Sequence, residues 1–185
     1  MAFFPVSLNL AGRRCVVIGE ANDREAIDKA AALRESGADV RRIDPAALRD
    51  EDVIDAYFVI STPFDEGLSA RLRALADEHK FLLCCIDQPK YGFVAMAAIA
   101  KAGPVRVAIA TSGLAPRVGK ILKQRLQAAM DARFTRFVER LGEMKRTMQR
   151  ERPGPEHAAE RRAAMIDAAA GFDAEIRFIY PDESP

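Results

Sequence analysis

The chain has 185 residues, enough for one large domain or one domain with an appendage, and its composition is that of a globular protein. It has neither a run of about 18 apolar residues nor a basic segment ahead of an apolar N-terminal stretch, so we expect no membrane span and no secretory signal, and a cytoplasmic location. The net charge of +1 is unevenly spread, because residues 117–152 carry eleven Lys/Arg against four Asp/Glu.

Residues 13–44 predict a strand, a tight loop, a helix and a second strand. The first strand, 15–18, is a short apolar run that ends at Gly19, as in a parallel strand buried on both faces. The second strand, 40–43, is followed by Asp44. This βαβ unit has the length used by dinucleotide-binding folds, and Asp44 stands 25 positions after the glycine, where a ribose-binding carboxylate often lies.

The loop after the first strand has two interpretations. A dinucleotide site needs glycines so that backbone N–H groups can approach a pyrophosphate at the helix N-terminus. Gly19 is the one glycine in this loop, and Glu20 and Asp23 add negative charge. The loop therefore belongs either to an NAD site or to an α/β domain that has lost its ligand. The residues expected around the cofactor are Gly19, Ala21, Arg24, Glu25, Asp44, Pro45 and Thr62.

Two further buried strands are predicted, at residues 56–62 and 81–86, separated by a helix that Asp65 or Ser69 caps. Strands that alternate with helices indicate a parallel sheet, and ligands of such sheets bind outside the carboxyl ends of the strands. We therefore expect one crevice to be lined by the residues at those ends, Gly19, Asp44, Thr62 and Asp87.

The cysteines and histidines give no metal-ligand pattern. Cys15, Cys84 and Cys85 fall in predicted strands, which fits reduced core thiols better than a disulfide framework. His79 and His157, the two histidines, have no partner at ligand spacing, so no resident metal site is expected.

The second half of the chain predicts a strand at 105–110, after a Gly-Pro turn, and then a small-residue loop. Apolar residues between Val118 and Met148 follow a period close to 3.6, which indicates a long amphipathic helix that is broken once. A stripe of this length usually packs on another subunit or on a second helix, and we predict a homodimer. The Pro-Gly-Pro at 153–155 ends it, and a last helix (156–170) and a closing strand or coil (176–180) follow.

These features together resemble the precorrin-2 dehydrogenase family, the dehydrogenase and ferrochelatase module of sirohaem synthases. The resemblance runs from Pro5 to about Arg150. It depends on the order of five features: Pro5-Val6 before the first strand, Gly19 with Lys29 in the following helix, Ser61-Thr62, Asp87-Gln88-Pro89 with Phe93, and Gly103-Pro104 before the loop 110–116. The chain departs from the family pattern in its longer glycine-poor loop and in Cys84, which replaces an asparagine.

The resemblance implies an α/β fold: a Rossmann-like NAD-binding domain (1–110), then a mainly helical dimerisation and substrate region (111–152) and a helical tail (153–185). It also implies that Asp87 is catalytic, although the carboxylate could instead cap the turn before Pro89. Thr111 matches a family hydroxyl beside the substrate, with an ordinary Ser/Thr turn as the alternative. The expected substrate-binding residues are Thr111, Ser112, Arg117 and Lys120.

Two functions follow from the resemblance. The first is NAD-dependent oxidation of precorrin-2 to sirohydrochlorin, with Fe²⁺ insertion as a further step, in which the basic segment steers a polycarboxylate tetrapyrrole. The second is a non-catalytic tetrapyrrole-binding relative that has lost NAD. Binding of nucleic acid by the basic segment is not expected, because no aromatic platform or recognised module accompanies the charge.

Overall fold

The computed structural model describes residues 3–180 and forms two compact units. The first unit comprises the chain up to Ala97 together with Ala110–Ala115, and the second comprises Ala98–Ile109 and the chain from Pro116 onward. This division differs from the predicted first domain, 1–110, because residues 98–109 form a hairpin that packs within the second unit.

The first unit is a four-stranded parallel sheet with one helix on each face. Its strands have the order β2-β1-β3-β4, and two short 3₁₀ turns, Pro45–Ala47 and Asp50–Asp52, follow β2. The predicted α/β, Rossmann-like fold class is confirmed. The elements are β1 (Arg14–Ile18), α1 (Arg24–Glu35), β2 (Asp39–Ile43), β3 (Phe58–Ser61), α2 (Glu66–His79) and β4 (Leu82–Cys85).

The strands of this sheet alternate their side chains between two apolar layers. β1, β3 and β4 have almost no exposed side chain, as expected for parallel strands covered by helices on both faces. The layer facing α2 includes Val16, Ile18, Val59, Leu83, Leu72 and Ala76. The layer facing α1 includes Cys15, Val17, Phe58, Ile60, Ala26, Ala30 and Leu33.

An antiparallel hairpin opens the second unit. It consists of β5 (Ala98–Ala102) and β6 (Val105–Ile109), and Gly103 takes a positive φ of 51° in the turn between them. The sequence predicted the second strand but not the first, and no hairpin. The alanines of β5 have low strand propensity, and this strand is stabilised by its pairing with β6 and its packing on a helix.

Three helices complete the second unit: α3 (Pro116–Ala129), α4 (Ala132–Glu151) and α5 (Ala158–Ala168), with a 3₁₀ turn at Pro155–His157. The prediction that the apolar stripe is broken once is confirmed. The break lies at residues 130–131, where the Asp131 carboxylate accepts a hydrogen bond of 2.9 Å from the Phe134 N–H and caps α4. Residues 172–180 have no regular secondary structure, so the closing segment is coil.

The aromatic side chains of α4 are half-buried within the chain itself. The ring of Phe172 lies 5.3 Å from that of Phe137 and 6.0 Å from that of Phe134, centroid to centroid. These two rings therefore do not form a fully exposed apolar patch, because the segment after α5 packs on them. Half-exposed apolar side chains are found instead on α3, where Val118 is 51% and Ile121 is 49% exposed. Within residues 3–180, no helix is both long and apolar enough to cross a membrane.

Candidate functional site

The candidate site lies at the carboxyl edge of the parallel sheet in the first unit. The chain passes from β1 to β2 at one edge and then crosses back to β3 on the other side of β1, so the strand order reverses between β1 and β3. Ligands of open α/β sheets bind at such a switch point. Gly19 follows β1 and Thr62 follows β3, and the two residues meet there.

At position 19, after β1, only a glycine fits, because α1 packs closely against the end of the strand. It is buried, and a Cβ at this position would lie 2.5 Å from the Thr62 Oγ1 and 2.6 Å from the Ala26 Cβ. The Gly19 N–H also donates to the carbonyl of Ile43, the residue before Asp44, at 3.0 Å. The ends of β1 and β2 are therefore joined, and the first turn of α1 approaches the strand closely.

The N-terminus of α1 is capped by the carboxylate of Asp23. Its Oδ1 accepts from the Glu25 N–H at 2.8 Å, and its Oδ2 is hydrogen-bonded by the Thr62 hydroxyl. The Thr62 hydroxyl lowers the pKa of Asp23 most, burial opposes it as the next largest effect, and backbone N–H donors and the charge of Arg42 lower the pKa further. Asp23 is therefore a charged group at the helix end where a pyrophosphate would bind.

Arg42 of β2 holds the loop between β1 and α1. Its Nη2 donates to the carbonyls of Glu20 at 2.8 Å and of Ala21 at 3.2 Å. The guanidinium places a positive charge in a loop that carries two carboxylates, those of Glu20 and Asp23. Sequence reasoning missed this residue. The one feature of the sequence that indicates Arg42 is that an arginine occurs in a strand, β2, that pairs with the buried apolar strand β1.

The other predicted cofactor residues surround this loop. Asp44 is exposed, and its Oδ1 caps the turn that begins at Pro45 by accepting from the Ala46 N–H at 2.9 Å. Ala21 lies in the loop itself. Arg24 and Glu25, in the first turn of α1, make surface ion pairs one helical turn further on, at 3.7 and 3.6 Å. All the predicted cofactor residues thus lie at or beside one edge of the sheet.

Asp87 lies beyond the end of β4 in a strained backbone conformation. Its φ is +58°, which is unusual for a residue with a side chain, and the residue is exposed. Among residues 3–180, no hydrogen bond or ion pair of the Asp87 carboxylate is found. The turn is closed by backbone instead, through the Gln88 N–H and the Cys85 carbonyl at 3.3 Å.

Thr111 and Ser112 lie in a tight turn that also belongs to the first unit. The Leu114 N–H donates to the Thr111 carbonyl at 2.9 Å, and Ser112 and Gly113 both have positive φ, 52° and 78°. Two successive residues with positive φ are typical of a type I′ turn. Thr111 is half-buried and Ser112 is exposed.

Arg117 and Lys120 lie in the first two turns of α3, in the second unit, and both are exposed. They line a shallow cleft of about 490 Å³ together with Pro116, Ile121 and Gln124. In the part of the chain that the structure describes, no group of three or more His, Cys, Asp or Glu side chains is arranged to hold a metal ion.

Comparison with known proteins identifies the first unit. A protein family described as putative NAD(P)-binding matches residues 6–98, which include β1 to β4, Gly19, Thr62 and Asp87. The chain belongs to this family. The match ends before Thr111, Ser112, Arg117 and Lys120.

Curated proteins that are similar to this chain include sirohaem synthases. The chain is 26% identical to that of Nitrosococcus oceani over 156 residues and 30% identical to that of Gluconacetobacter diazotrophicus over 157 residues. These alignments cover 74% and 70% of the chain but 33% and 32% of the relatives. The chain therefore spans about a third of the length of the sirohaem synthases that it matches.

A solved structure described as SirC, a precorrin-2 dehydrogenase, has the same fold. It is 18% identical to this chain, with a TM-score of 0.66, and the match covers 89% of this chain and 88% of the other. The relatives and this fold confirm the resemblance to the precorrin-2 dehydrogenase family that Gly19, Ser61-Thr62 and Asp87-Gln88-Pro89 indicate.

The loop between β1 and α1 has some, but not all, of the features that binding of a dinucleotide requires. The buried Nε of Arg42 has no acceptor among the described residues, and the Asp44 carboxylate follows β2, whereas the space beside Gly19 is already filled by Thr62, Ala26 and Asp23. These features fit an NAD(P) group with its adenosine ribose at Asp44. Asp23 opposes its phosphates, and Arg42 supplies the charge that offsets this repulsion.

Proposed function

We propose that this protein oxidises precorrin-2 to sirohydrochlorin with NAD⁺ in sirohaem biosynthesis. The observation that carries the proposal is the switch point between β1 and β3, where Gly19 and Thr62 meet, with Asp44 at the end of the neighbouring strand β2, in a unit that matches an NAD(P)-binding family. The named sirohaem synthases and the fold of SirC support the choice of substrate.

In this reaction the substrate loses a hydride to NAD⁺ and a proton to a base, so the products are sirohydrochlorin, NADH and H⁺. The bound dinucleotide supplies the hydride acceptor. Asp87 is the proposed base, because it is an exposed carboxylate at a strand end of the sheet edge where ligands bind.

Asp44 favours NAD⁺ over NADP⁺ in this proposal. A carboxylate at the end of the second strand accepts a hydrogen bond from a ribose 2′-hydroxyl and repels a 2′-phosphate. One oxygen of Asp44 already caps the following turn, and the other is the one proposed to meet the ribose.

Arg117 and Lys120 are proposed to attract the carboxylates of the tetrapyrrole. Both are exposed in a segment with a net charge of +7, and a cluster of one sign raises the local concentration of an oppositely charged substrate. Thr111 and Ser112, in the preceding turn, are the proposed hydroxyl contacts. We further propose Fe²⁺ insertion into sirohydrochlorin as a second activity, with Asp87 taking a proton that the pyrrole nitrogens release.

A homodimer is part of the proposal. Val118 and Ile121 on α3 each leave about half of their surface exposed, and α4 has no fully buried residue within its own chain. A second copy related by a two-fold axis would cover these side chains.

The proposal is tested by incubating the protein with precorrin-2 and either NAD⁺, NADP⁺ or no dinucleotide. We expect sirohydrochlorin and NADH in equal amounts with NAD⁺, and slower turnover with NADP⁺. Fe²⁺ added to the finished reaction tests metal insertion separately.

One observation favours a second candidate function. The charged Asp23 cap at the N-terminus of α1 repels the phosphates of a dinucleotide, so the second candidate is a protein that binds tetrapyrroles without a dinucleotide. Saturable binding of sirohydrochlorin, together with no NADH formation and no binding of NAD⁺, would establish this alternative in place of the dehydrogenase.

A further inference from the structure

A buried pair of polar side chains lies beneath the turn that carries Asp87. Ser69 of α2 is fully buried and Gln88 is 3% exposed, and the Ser69 hydroxyl donates to the Gln88 Oε1 at 2.5 Å. The other side chains that α2 directs at the sheet, Leu72 and Ala76, are apolar. A polar pair in such a layer costs free energy unless its hydrogen bonds are made.

The pair joins α2 to the residue that directly follows Asp87. Gln88 is held by its backbone as well, because its N–H donates to the Cys85 carbonyl and its carbonyl accepts from the Tyr91 N–H at 3.1 Å. Cys85 is the last residue of β4, so the pair connects α2 to the turn that follows this strand.

Two features indicate that this turn needs support from its surroundings. Asp87 has a φ of +58°, in the left-handed region that residues with side chains adopt uncommonly and that Asp adopts more readily than most. The Gln88 Nε2 is buried and has no acceptor among residues 3–180. Strained residues persist where their surroundings fix them, and they are frequent at functional sites.

We infer that Ser69 is a positioning residue, which acts through Gln88 to hold the Asp87 carboxylate in its exposed, left-handed position at the sheet edge. The catalytic role of Asp87 in this inference rests on the proposed function. The role of Ser69 in ordering the turn does not, because it follows from the contact with Gln88. Without the Ser69 hydroxyl, the buried Gln88 Oε1 loses its donor and the turn can relax to other conformations.

The test compares Ser69→Ala with a matched control, Ser61→Ala. Ser61 of β3 is equally buried, but its hydroxyl has no partner among the described residues, so its removal breaks no hydrogen bond. Turnover of precorrin-2, KM and amide hydrogen exchange of residues 86–92 are measured for both variants and the wild type.

For Ser69→Ala we expect kcat to fall by about tenfold to a hundredfold, the effect of a small misplacement of a reacting group, while KM for NAD⁺ changes less than about twofold. Exchange in residues 86–92 should become faster. Ser61→Ala should match the wild type in all three measurements. Gln88→Met, which keeps length but removes the amide, should reproduce Ser69→Ala, and the double variant should be no worse than either single one.

Gln88→Met alone decides the question if Ser69→Ala does not fold. Unchanged exchange in residues 86–92, or faster exchange with an unchanged kcat, would overturn the inference. If the wild-type protein shows no turnover, the proposed function fails, and the exchange measurement still decides whether Ser69 orders the turn: faster exchange in Ser69→Ala but not in Ser61→Ala supports it, and equal exchange overturns it.

Discussion

The two units of this chain bury their apolar side chains to different degrees. In the first unit, β1, β3 and β4 are covered on both faces, and all their residues except Arg14 and Leu82 are buried. In the second unit, α4 and α5 have no fully buried residue, and α3 has only Gly119. The first unit is therefore a complete core that can support a site, whereas the second has apolar surface left to cover.

The two units therefore contribute different parts of the proposed function. The site at the sheet edge follows from contacts within the first unit, such as those of Gly19, Thr62 and Asp23. The dimer and the binding of the substrate by Arg117 and Lys120 depend on surfaces of the second unit. The predictions below therefore test each unit by itself.

The largest effect is expected for Asp87→Asn in the first unit. It should lower turnover of precorrin-2 by a factor on the order of 10², the usual contribution of a general base, while folding and NAD⁺ affinity stay the same. Glu51→Gln, at an exposed carboxylate in the Asp50–Asp52 turn, is the control and should have wild-type kcat. A wild-type rate in Asp87→Asn would mean that this carboxylate takes no part in the reaction.

In the second unit, Ile121→Glu should weaken dimerisation by about tenfold or more, equivalent to roughly 1.4 kcal/mol, because it places a charge on the half-exposed face of α3. Ala32→Glu adds the same charge at an exposed position of α1, in the first unit, and should have little effect. Sedimentation at several protein concentrations measures both. A wild-type monomer at micromolar concentration would contradict the dimer.

A pair of glycine substitutions compares the packing of the two units directly. Gly19→Ala should destabilise the first unit by about 1–3 kcal/mol, because the new Cβ would overlap Thr62 and Ala26. Gly142→Ala, in the interior of α4, should stabilise the second by about 0.5–1 kcal/mol, since its nearest new contact is the Arg146 side chain at 3.7 Å. Denaturant unfolding of both variants checks this, and the same sign of effect in both would refute the comparison.

The smallest effect is the pH dependence of the cap on α1. Because the native pKa of Asp23 is lowered, its charged form stabilises the fold above the unfolded pKa of about 3.9, and this stabilisation is lost as the pH falls through the native value. Asp23→Asn should therefore be less stable than the wild type near neutral pH and approach it in strong acid. A stability difference that does not change with pH would show that the carboxylate charge contributes nothing.

The sequence predicted most of the first unit but only part of the second. Four parallel strands, the residues that follow them and the break in the amphipathic stripe could be read from apolar periodicity and turn residues. Strand β5 could not, because its alanines carry no strand signal until they pair with β6. The contact of Phe172 with Phe137 joins residues far apart in the chain, and no local pattern indicates it.

The same limit applies to the site. Gly19, Asp44, Thr62 and Asp87 could be named because each follows a strand. The bond from Thr62 to Asp23 and the bonds from Arg42 to the loop carbonyls join separate segments, and only the folded chain brings them together. The sequence pattern offers Asp65 and Ser69 as alternative caps of α2. In the structure Asp65 is the cap, and Ser69 is buried against Gln88.

Titration of the protein with NAD⁺, followed by protein fluorescence, tests most directly whether the loop after β1 binds a dinucleotide. The account predicts saturable binding by the wild type and tighter binding by Glu20→Gly, which removes a charge beside the pyrophosphate and opens access to the backbone. It also predicts weaker binding by Asp44→Ala. The absence of saturable binding up to about millimolar NAD⁺, in the wild type and in Glu20→Gly alike, would contradict the account.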